Sequence, residues 1–166
     1  LEADNSRLAK EAIVKREADA DNTELFRGFR ATFDCMITFG IKKIEAKTGD
    51  GKGLNSDTFW RTAEQLRLRE LTGNAALTAV NHMRMNATEA EWNYWYRRIL
   101  IKDLRCGVSE KTINKQVEDV NGNYVVPVFS CQLAHDGANH ESKVAGRKLV
   151  EVKLDGVRVI TIVYPN

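Results

Sequence analysis

The sequence predicts a mainly α-helical domain followed by a β-rich segment, and three observations support this fold class. Apolar residues recur at three- and four-residue spacing behind helix-capping residues through most of residues 1–121. From Gly122 onwards this spacing is lost, β-branched residues predominate, and Pro127 indicates an edge strand or a linker. Further on, two β-prone runs are separated by Asp155 and Gly156, which favour a tight hairpin turn because both residues tolerate a positive φ.

The composition is that of a folded protein without a membrane span. Hydrophobic residues make up 43% of the 166 residues and charged residues 29%, and no apolar run reaches the roughly 18 residues that a transmembrane helix needs. The three cysteines (Cys35, Cys106 and Cys131) are odd in number and widely spaced, which fits a reducing cytoplasm. We therefore expect a cytoplasmic monomer with no membrane contact.

The two ends of the chain indicate a piece of a longer protein. The chain begins at Leu1 rather than at methionine, and it stops at Tyr164–Pro165–Asn166, directly after a strand that needs partners. We expect a helical domain at 1–121, followed by a linker and the first strands of a second domain at 122–166.

Capping residues and apolar stripes predict the first two helices. Residues 3–19 predict a modest amphipathic helix. Asn22 or Thr23 is a suitable N-cap for a second helix. Its stripe is typical of a protein core and consists of Leu25, Phe26, Phe29, Phe33, Met36 and Ile37.

The next helices are predicted on either side of a glycine. Asn55 or Ser56 can cap a third helix that ends at Leu71–Thr72–Gly73, where the glycine suits the left-handed position after a helix. Asn74 can cap a fourth helix over residues 75 to about 85.

Two more helices follow on the amino-terminal side of Gly122. Thr88 and Glu91 have the spacing of a capping box and open an aromatic-rich helix that Gly107 closes. Ser109 can cap a short helix after it.

Two helix–glycine–cap–helix junctions are candidate phosphate sites. They lie at residues 71–76 and 104–109, and each presents free backbone N–H groups at the positive end of a helix dipole. Two such sites could straddle a duplex backbone without reading bases, while ordinary turns with solvated charges would explain the same residues. The candidate DNA-binding residues are Arg67, Arg69, Thr72, Gly73, Asn74, Lys102, Arg105, Gly107, Ser109, Lys111 and Lys115.

A lysine and an arginine lie beside the predicted hairpin turn. The run Lys153-Leu154-Asp155-Gly156-Val157-Arg158 resembles the nucleotide-attachment motif of the covalent nucleotidyltransferases, which are DNA ligases, RNA ligases and capping enzymes. An ordinary lysine, with a pKa near 10.4, is a poor nucleophile at neutral pH, and burial between strands or nearby cations can lower that pKa.

The residues before this motif indicate which family of the superfamily the chain resembles. Residues 71–76 and 97–109 resemble the N-terminal DNA-binding domain of phage-type ATP-dependent DNA ligases, and Gln132-Leu133-Ala134 resembles the short segment that enters their adenylation domain. The resemblance extends from about Ser6 to Val163. It implies a mainly α DNA-binding domain followed by the truncated, β-rich start of an α+β nucleotidyltransferase domain.

The resemblance also implies roles for single residues. Lys153 would attack the α-phosphate of ATP and carry AMP, Glu151 would lie at the adenine, and Arg158 would contact the ribose or the nick phosphates. Asp155 and Gly156 would shape the loop. The implied partner is nicked double-stranded DNA, and the implied cofactors are ATP, as covalent AMP on lysine, and Mg²⁺ with ligands outside this chain. We therefore expect the 166-residue chain alone neither to adenylate efficiently nor to ligate.

Two other functions remain open at this point. One is an RNA ligase or capping-type nucleotidyltransferase, and the other is a non-catalytic helical DNA-binding module. No metal site is expected, because the spacing of Cys131, His135 and His140 fits no zinc pattern well.

Overall fold

The computed structural model describes residues 1–3, 6–129, 145–147 and 149. The chain separates into two compact units, Leu1–Ser130 and Cys131–Asn166. Almost all described residues belong to the first unit, which is mainly helical as predicted. The predicted strands around Lys153 lie outside the described residues, and the domain boundary placed between 121 and 122 stays a prediction.

Helices account for most of the regular structure among the described residues. In chain order they are α1 (Arg7–Asp19), α2 (Thr23–Phe33), α3 (Ser56–Arg67), α4 (Gly73–Asn86), α5 (Glu89–Glu91), a π-helical turn (Trp92–Tyr96), α6 (Arg97–Leu100), α7 (Glu110–Val117) and a 3-10 turn (Gly122–Tyr124). The segment from α5 through the π turn to α6 keeps helical backbone angles at both junctions. No strand occurs among the described residues.

Four helices begin where the sequence predicts, because their first turns are capped by local side chains. Asn22, Asn55 and Ser109 accept hydrogen bonds from backbone N–H groups three residues further on. Thr88 and Glu91 form both bonds of the predicted capping box. The predicted N-cap at Asn74 is wrong, because α4 begins at Gly73 and Thr72 precedes it without a side-chain cap bond.

Two predicted helix ends are also wrong, because residues other than glycine take the left-handed position. After α3, Arg69 has a φ of 63°, and the N–H of Glu70 donates to the carbonyl of Gln65 (2.9 Å). After α6, Lys102 has a φ of 59°, and the N–H of Asp103 makes the equivalent bond to Arg98 (3.0 Å). Both ends have the Schellman arrangement, which satisfies helix carbonyls before Gly73 or Gly107 is reached. Those glycines are left-handed too, with φ values of 52° and 64°. Gly73, however, is the first residue of α4, and Gly107 lies just before α7.

Aromatic side chains on α2, α3 and the π turn form the centre of the core. Phe29 of α2, Phe59 of α3 and Trp92 of the π turn are at most 1% exposed. The predicted stripe of α2 stops early, because the helix ends at Phe33 and Met36 is left 53% exposed.

Arg98 holds several segments around α6 together. It is only 8% exposed, and its guanidinium donates to the backbone carbonyls of Asn93 (3.1 Å) and Leu104 (3.0 Å). The same group pairs with the carboxylate of Glu2 at 2.7 Å. Arg98, which lies in the run 97–109, therefore stabilises the fold.

Two asparagine side chains replace strand partners for irregular backbone. The Asn93 amide bonds both the N–H and the carbonyl of Lys47, at 2.9 and 2.8 Å. The Asn114 amide does the same for Val126, at 2.8 and 2.9 Å, in the stretch 124–129 that the sequence marks as β-prone. These bonds satisfy backbone polar groups in irregular segments that have no strand partner among the described residues.

Glu91 links α5 to the loop before α3. Its carboxylate accepts the backbone N–H of Thr88 (2.9 Å) and of Leu54 (3.2 Å). These bonds, that from Thr88 above all, lower the pKa of the Glu91 side chain. Because the folded-state pKa is depressed, the ionised group stabilises the fold above its unfolded pKa, and the contribution is lost as pH falls through the folded value.

We predict that Glu91→Gln lowers the free energy of unfolding by about 1 kcal/mol at pH 7, because a neutral amide accepts these bonds less strongly. The difference from the parent should begin to shrink as pH falls below the ordinary glutamate pKa of about 4.3, because the Glu91 side chain of the unfolded chain is protonated first. Chemical denaturation at several pH values measures both effects. Glu70→Gln, at an exposed carboxylate, is the control and should match the parent throughout. An equal loss for Glu91→Gln at pH 7 and pH 3 would contradict this assignment.

Candidate nucleic-acid interface

The junction between α3 and α4 forms one wall of an open cleft of 370 Å³. The loop before α3 forms the opposite wall, and it contributes Lys42 and Lys43. From the junction itself, the cleft is lined by Arg69, Leu71, Thr72, Gly73 and Asn74. The structure thus brings four of the predicted site residues together and adds two lysines.

The charges of this first cleft favour an anion. Lys42, Lys43 and Arg69 are exposed, and none of them makes an ion pair within the described residues. The first turn of α4 carries no acidic residue, and a Cβ added at Gly73 would meet no atom within 4 Å. The positive end of the α4 dipole is therefore open and not neutralised by a carboxylate.

Arg69 also lines a neighbouring open cleft of 540 Å³, which it shares with Lys42 and Lys102. The Arg69 guanidinium lies directly against Gly40, where a Cβ would fall 1.7 Å from its Nη1 atom. Gly40 has a φ of 70°, so both its conformation and its lack of a side chain are needed to seat Arg69. Arg69 and Lys42 are the two basic residues that line both clefts.

Lys102 differs from the other predicted cations because its ammonium group is already engaged. The Nζ atom donates to the backbone carbonyls of Asp34 (2.5 Å) and of Ile37. Burial lowers the pKa of Lys102, with a smaller opposing effect from the Asp34 carboxylate. This lysine fixes the segment that follows α2 and has fewer N–H groups left for a ligand.

The junction before α7 forms another open cleft, of 480 Å³. It contains the predicted residues Gly107, Ser109 and Lys111, together with Arg7 and Lys10 of α1. The Lys10 Nζ atom donates to the carbonyl of Cys106 at 2.9 Å and lies 2.2 Å from where a Cβ on Gly107 would be. Gly107 therefore lets the α1 lysine approach the junction.

The other predicted cations lie outside these clefts or have acidic partners. Arg67 makes a bidentate pair with Glu64 at 2.8 and 2.5 Å, and that pair raises the pKa of Arg67. Arg105 lies 3.5 Å from Asp103. Lys115 is exposed on α7 and does not line the cleft of Lys111.

The sequence analysis missed four basic residues of the clefts. Lys42 and Lys43 lie shortly after Gly40 in a stretch without periodicity. The sequence shows the two adjacent lysines but does not show which part of the chain they face. Arg7 and Lys10 are about 100 residues from the junction they face, and no local pattern connects them to it.

The predicted nucleotide-binding residues lie outside the described residues. They are Glu151, Lys153, Asp155, Gly156 and Arg158, and their roles remain predictions. Among the described residues, no group of histidine, cysteine and acidic side chains could hold a metal ion. None of the described helices is long and apolar enough to cross a membrane.

Comparison with known proteins adds an independent result. DNA ligases of Enterobacteria phages T4 and T6 are each 28% identical to the chain, in alignments that cover 87% of this chain and 33% of the phage protein. No protein-family model matches the chain. The chain therefore spans about one third of the length of the curated relatives it matches.

Two solved structures are similar in fold and sequence. They are designated Pmar-Lig_Pre. and Pmar-Lig_PreS3, with TM-scores of 0.77 and 0.75 and identities of 44% and 46%. Each comparison covers 86% of this chain and 33% of the solved chain. The chain is accordingly similar to phage proteins named DNA ligase over about one third of their length.

Proposed function

We propose that the described helical unit grips duplex DNA for an ATP-dependent DNA ligase that seals nicks through a lysine–AMP intermediate. The observation that carries this proposal is the pair of open, cation-lined clefts at the starts of α4 and α7. They occur in a chain whose relatives include proteins named DNA ligase. Neither cleft was apparent as a whole from the sequence.

The clefts suit phosphates better than base edges. Lys42, Lys43, Arg69 and Lys111 supply charge, and the start of α4 supplies backbone N–H groups. Such contacts position a protein on a duplex without reading its sequence. Each neutralised phosphate releases counterions, so affinity should fall steeply with salt, with a slope of about −0.9 per contact. This behaviour suits an enzyme that must act at nicks in any sequence.

The chemical step is assigned to Lys153 by resemblance. Its neutral amine attacks the α-phosphorus of ATP, a phosphorus–nitrogen bond forms, and pyrophosphate leaves with the electrons of the broken α–β bond. The AMP group then passes to the 5′-phosphate at the nick, and the neighbouring 3′-hydroxyl displaces AMP to join the strands. Mg²⁺ would stabilise charge on the transferred phosphate through ligands outside this chain.

We predict that Arg69→Glu and Lys111→Glu each weaken binding to a nicked duplex roughly 10- to 100-fold at moderate salt, because each removes a charge-assisted contact. The slope of log affinity against log salt should become shallower by about one for each substitution. A fluorescence anisotropy titration of a labelled nicked duplex at several salt concentrations gives both values. Lys52→Glu, at an exposed lysine that lines neither cleft, is the matched control. Unchanged affinity for both cleft variants would contradict the proposed DNA face.

The backbone of Arg69 is left-handed, with a φ of 63°. That conformation costs a residue with a side chain roughly 1–2 kcal/mol. Glycine avoids this cost, but it loses more conformational entropy on folding, which offsets part of the gain in stability. Arg69→Gly should therefore raise the free energy of unfolding by about 0.5–1 kcal/mol while weakening duplex binding. Arg69→Ala, which keeps the strain, should lose binding without gaining stability. If Arg69→Gly bound nicked duplex as well as the parent, the arginine would not contact DNA.

The catalytic assignment is tested in a protein long enough to include the rest of the ligase. Incubation of that protein with ATP and Mg²⁺, followed by peptide mass spectrometry, should locate one AMP adduct on Lys153. Lys153→Ala should abolish the adduct and nick sealing but retain binding to the nicked duplex. An adduct elsewhere would contradict the assignment, and full sealing by Lys153→Ala would instead favour a non-catalytic role for this chain.

A further inference from the structure

A third cleft lies between α2 and α3, and the proposed function does not use it. Its volume is 130 Å³. The side chains that line it come from α2, α3 and the segment between them: Arg27, Arg30, Ala31, Ile37, Phe39, Trp60, Ala63, Glu64 and Arg67. Arginine and apolar side chains together make up most of this lining.

The floor of the cleft is apolar. It is formed by Ala31, Ile37, Phe39 and Ala63, of which the two alanines and Phe39 are at most 6% exposed. The volume is close to the roughly 150 Å³ of an apolar cavity that takes up a benzene molecule. The space therefore fits a single aliphatic or aromatic side chain.

One arginine of the rim is held in place before any ligand arrives. The Arg27 guanidinium lies over the Trp60 ring, 4.3 Å from its centre. The Trp60 Nε1–H donates to Glu24 at 2.8 Å, and the same carboxylate oxygen accepts from Ser56 at 2.7 Å. Because this chain of contacts fixes the ring, Arg27 loses less freedom when it binds a partner.

The rim carries an excess of positive charge. Glu64 is its single carboxylate, and both of its oxygens accept from Arg67. Arg27 and Arg30 are exposed on α2, and neither makes an ion pair within the described residues. Two guanidinium groups therefore remain available above an apolar floor.

We propose that this cleft docks an acidic segment of a partner protein, with one apolar side chain on the floor and flanking carboxylates on Arg27 and Arg30. A nucleic-acid backbone fits less well, because it has no apolar side chain to occupy the floor, and the floor offers a phosphate no N–H donor. Carboxylates suit the planar donor forks of arginine, which bind them bidentately. This proposal goes beyond DNA binding and assigns the α2–α3 face to protein recognition.

The experiment uses the full 166-residue chain and a blocked pentapeptide with one phenylalanine between two pairs of aspartates. The readout is the indole N–H resonance of Trp60 in a ¹⁵N–¹H spectrum, assigned with Trp60→Phe among the three tryptophans. We expect saturable shifts of the Trp60 signal that weaken at high salt. Arg27→Ala and Arg30→Ala should each lower peptide affinity about two- to five-fold, in line with exposed ion pairs.

The controls separate this proposal from its alternatives. Arg61→Ala, at an exposed arginine of α3 that does not line the cleft, should bind the peptide like the parent. Peptides with alanine for phenylalanine, or with asparagine for aspartate, should bind several-fold more weakly. Equal binding of either peptide, or no shift at Trp60, would overturn the proposal. Loss of nicked-duplex affinity in Arg27→Ala and Arg30→Ala, with peptide binding unchanged, would instead assign these arginines to DNA.

Discussion

The side chains of the helical segment around Trp92 hold the irregular backbone that follows α2. That backbone has no strand partner in the described part of the chain, and side chains satisfy several of its polar groups. Three side chains of the helical segment donate to its carbonyls: Arg97 to Ile44 (2.8 Å), Trp92 to Glu45 (2.9 Å) and Asn93 to Lys47 (2.8 Å). Lys102, which follows α6, donates to the carbonyl of Asp34 (2.5 Å). The rest of the first unit depends on this arrangement, because the segment covers the core and shapes three of the clefts.

The same segment connects the proposed surfaces. Phe39 lines both the arginine-rimmed cleft and the first basic cleft, and Lys42 and Lys43 lie a few residues further on. The basic residues have different roles. The ammonium group of Lys102 donates to backbone carbonyls, whereas Arg69 remains exposed. Basic residues in this chain thus differ in role according to whether a carbonyl, a carboxylate or solvent faces them.

Helix starts were more predictable than helix ends. Asn22, Asn55 and Ser109 act on N–H groups three residues away, so a local pattern is sufficient to locate them. The ends after α3 and α6 were misplaced because glycine was expected in the left-handed position, which Arg69 and Lys102 occupy. Contacts distant in sequence accompany these conformations: Arg69 lies against Gly40, and Lys102 bonds the carbonyl of Asp34.

The sequence by itself determined the helical character of the first unit and the resemblance to phage DNA ligases, because periodicity, caps and short motifs are local properties. It also identified both junctions as candidate phosphate sites. Only the tertiary structure decided which cations share a cleft with those junctions, since Lys10 and Lys42 reach them across long sequence separations. It likewise decided that Arg98 is structural, because burial and hydrogen-bond partners follow from packing and cannot be read from neighbouring residues.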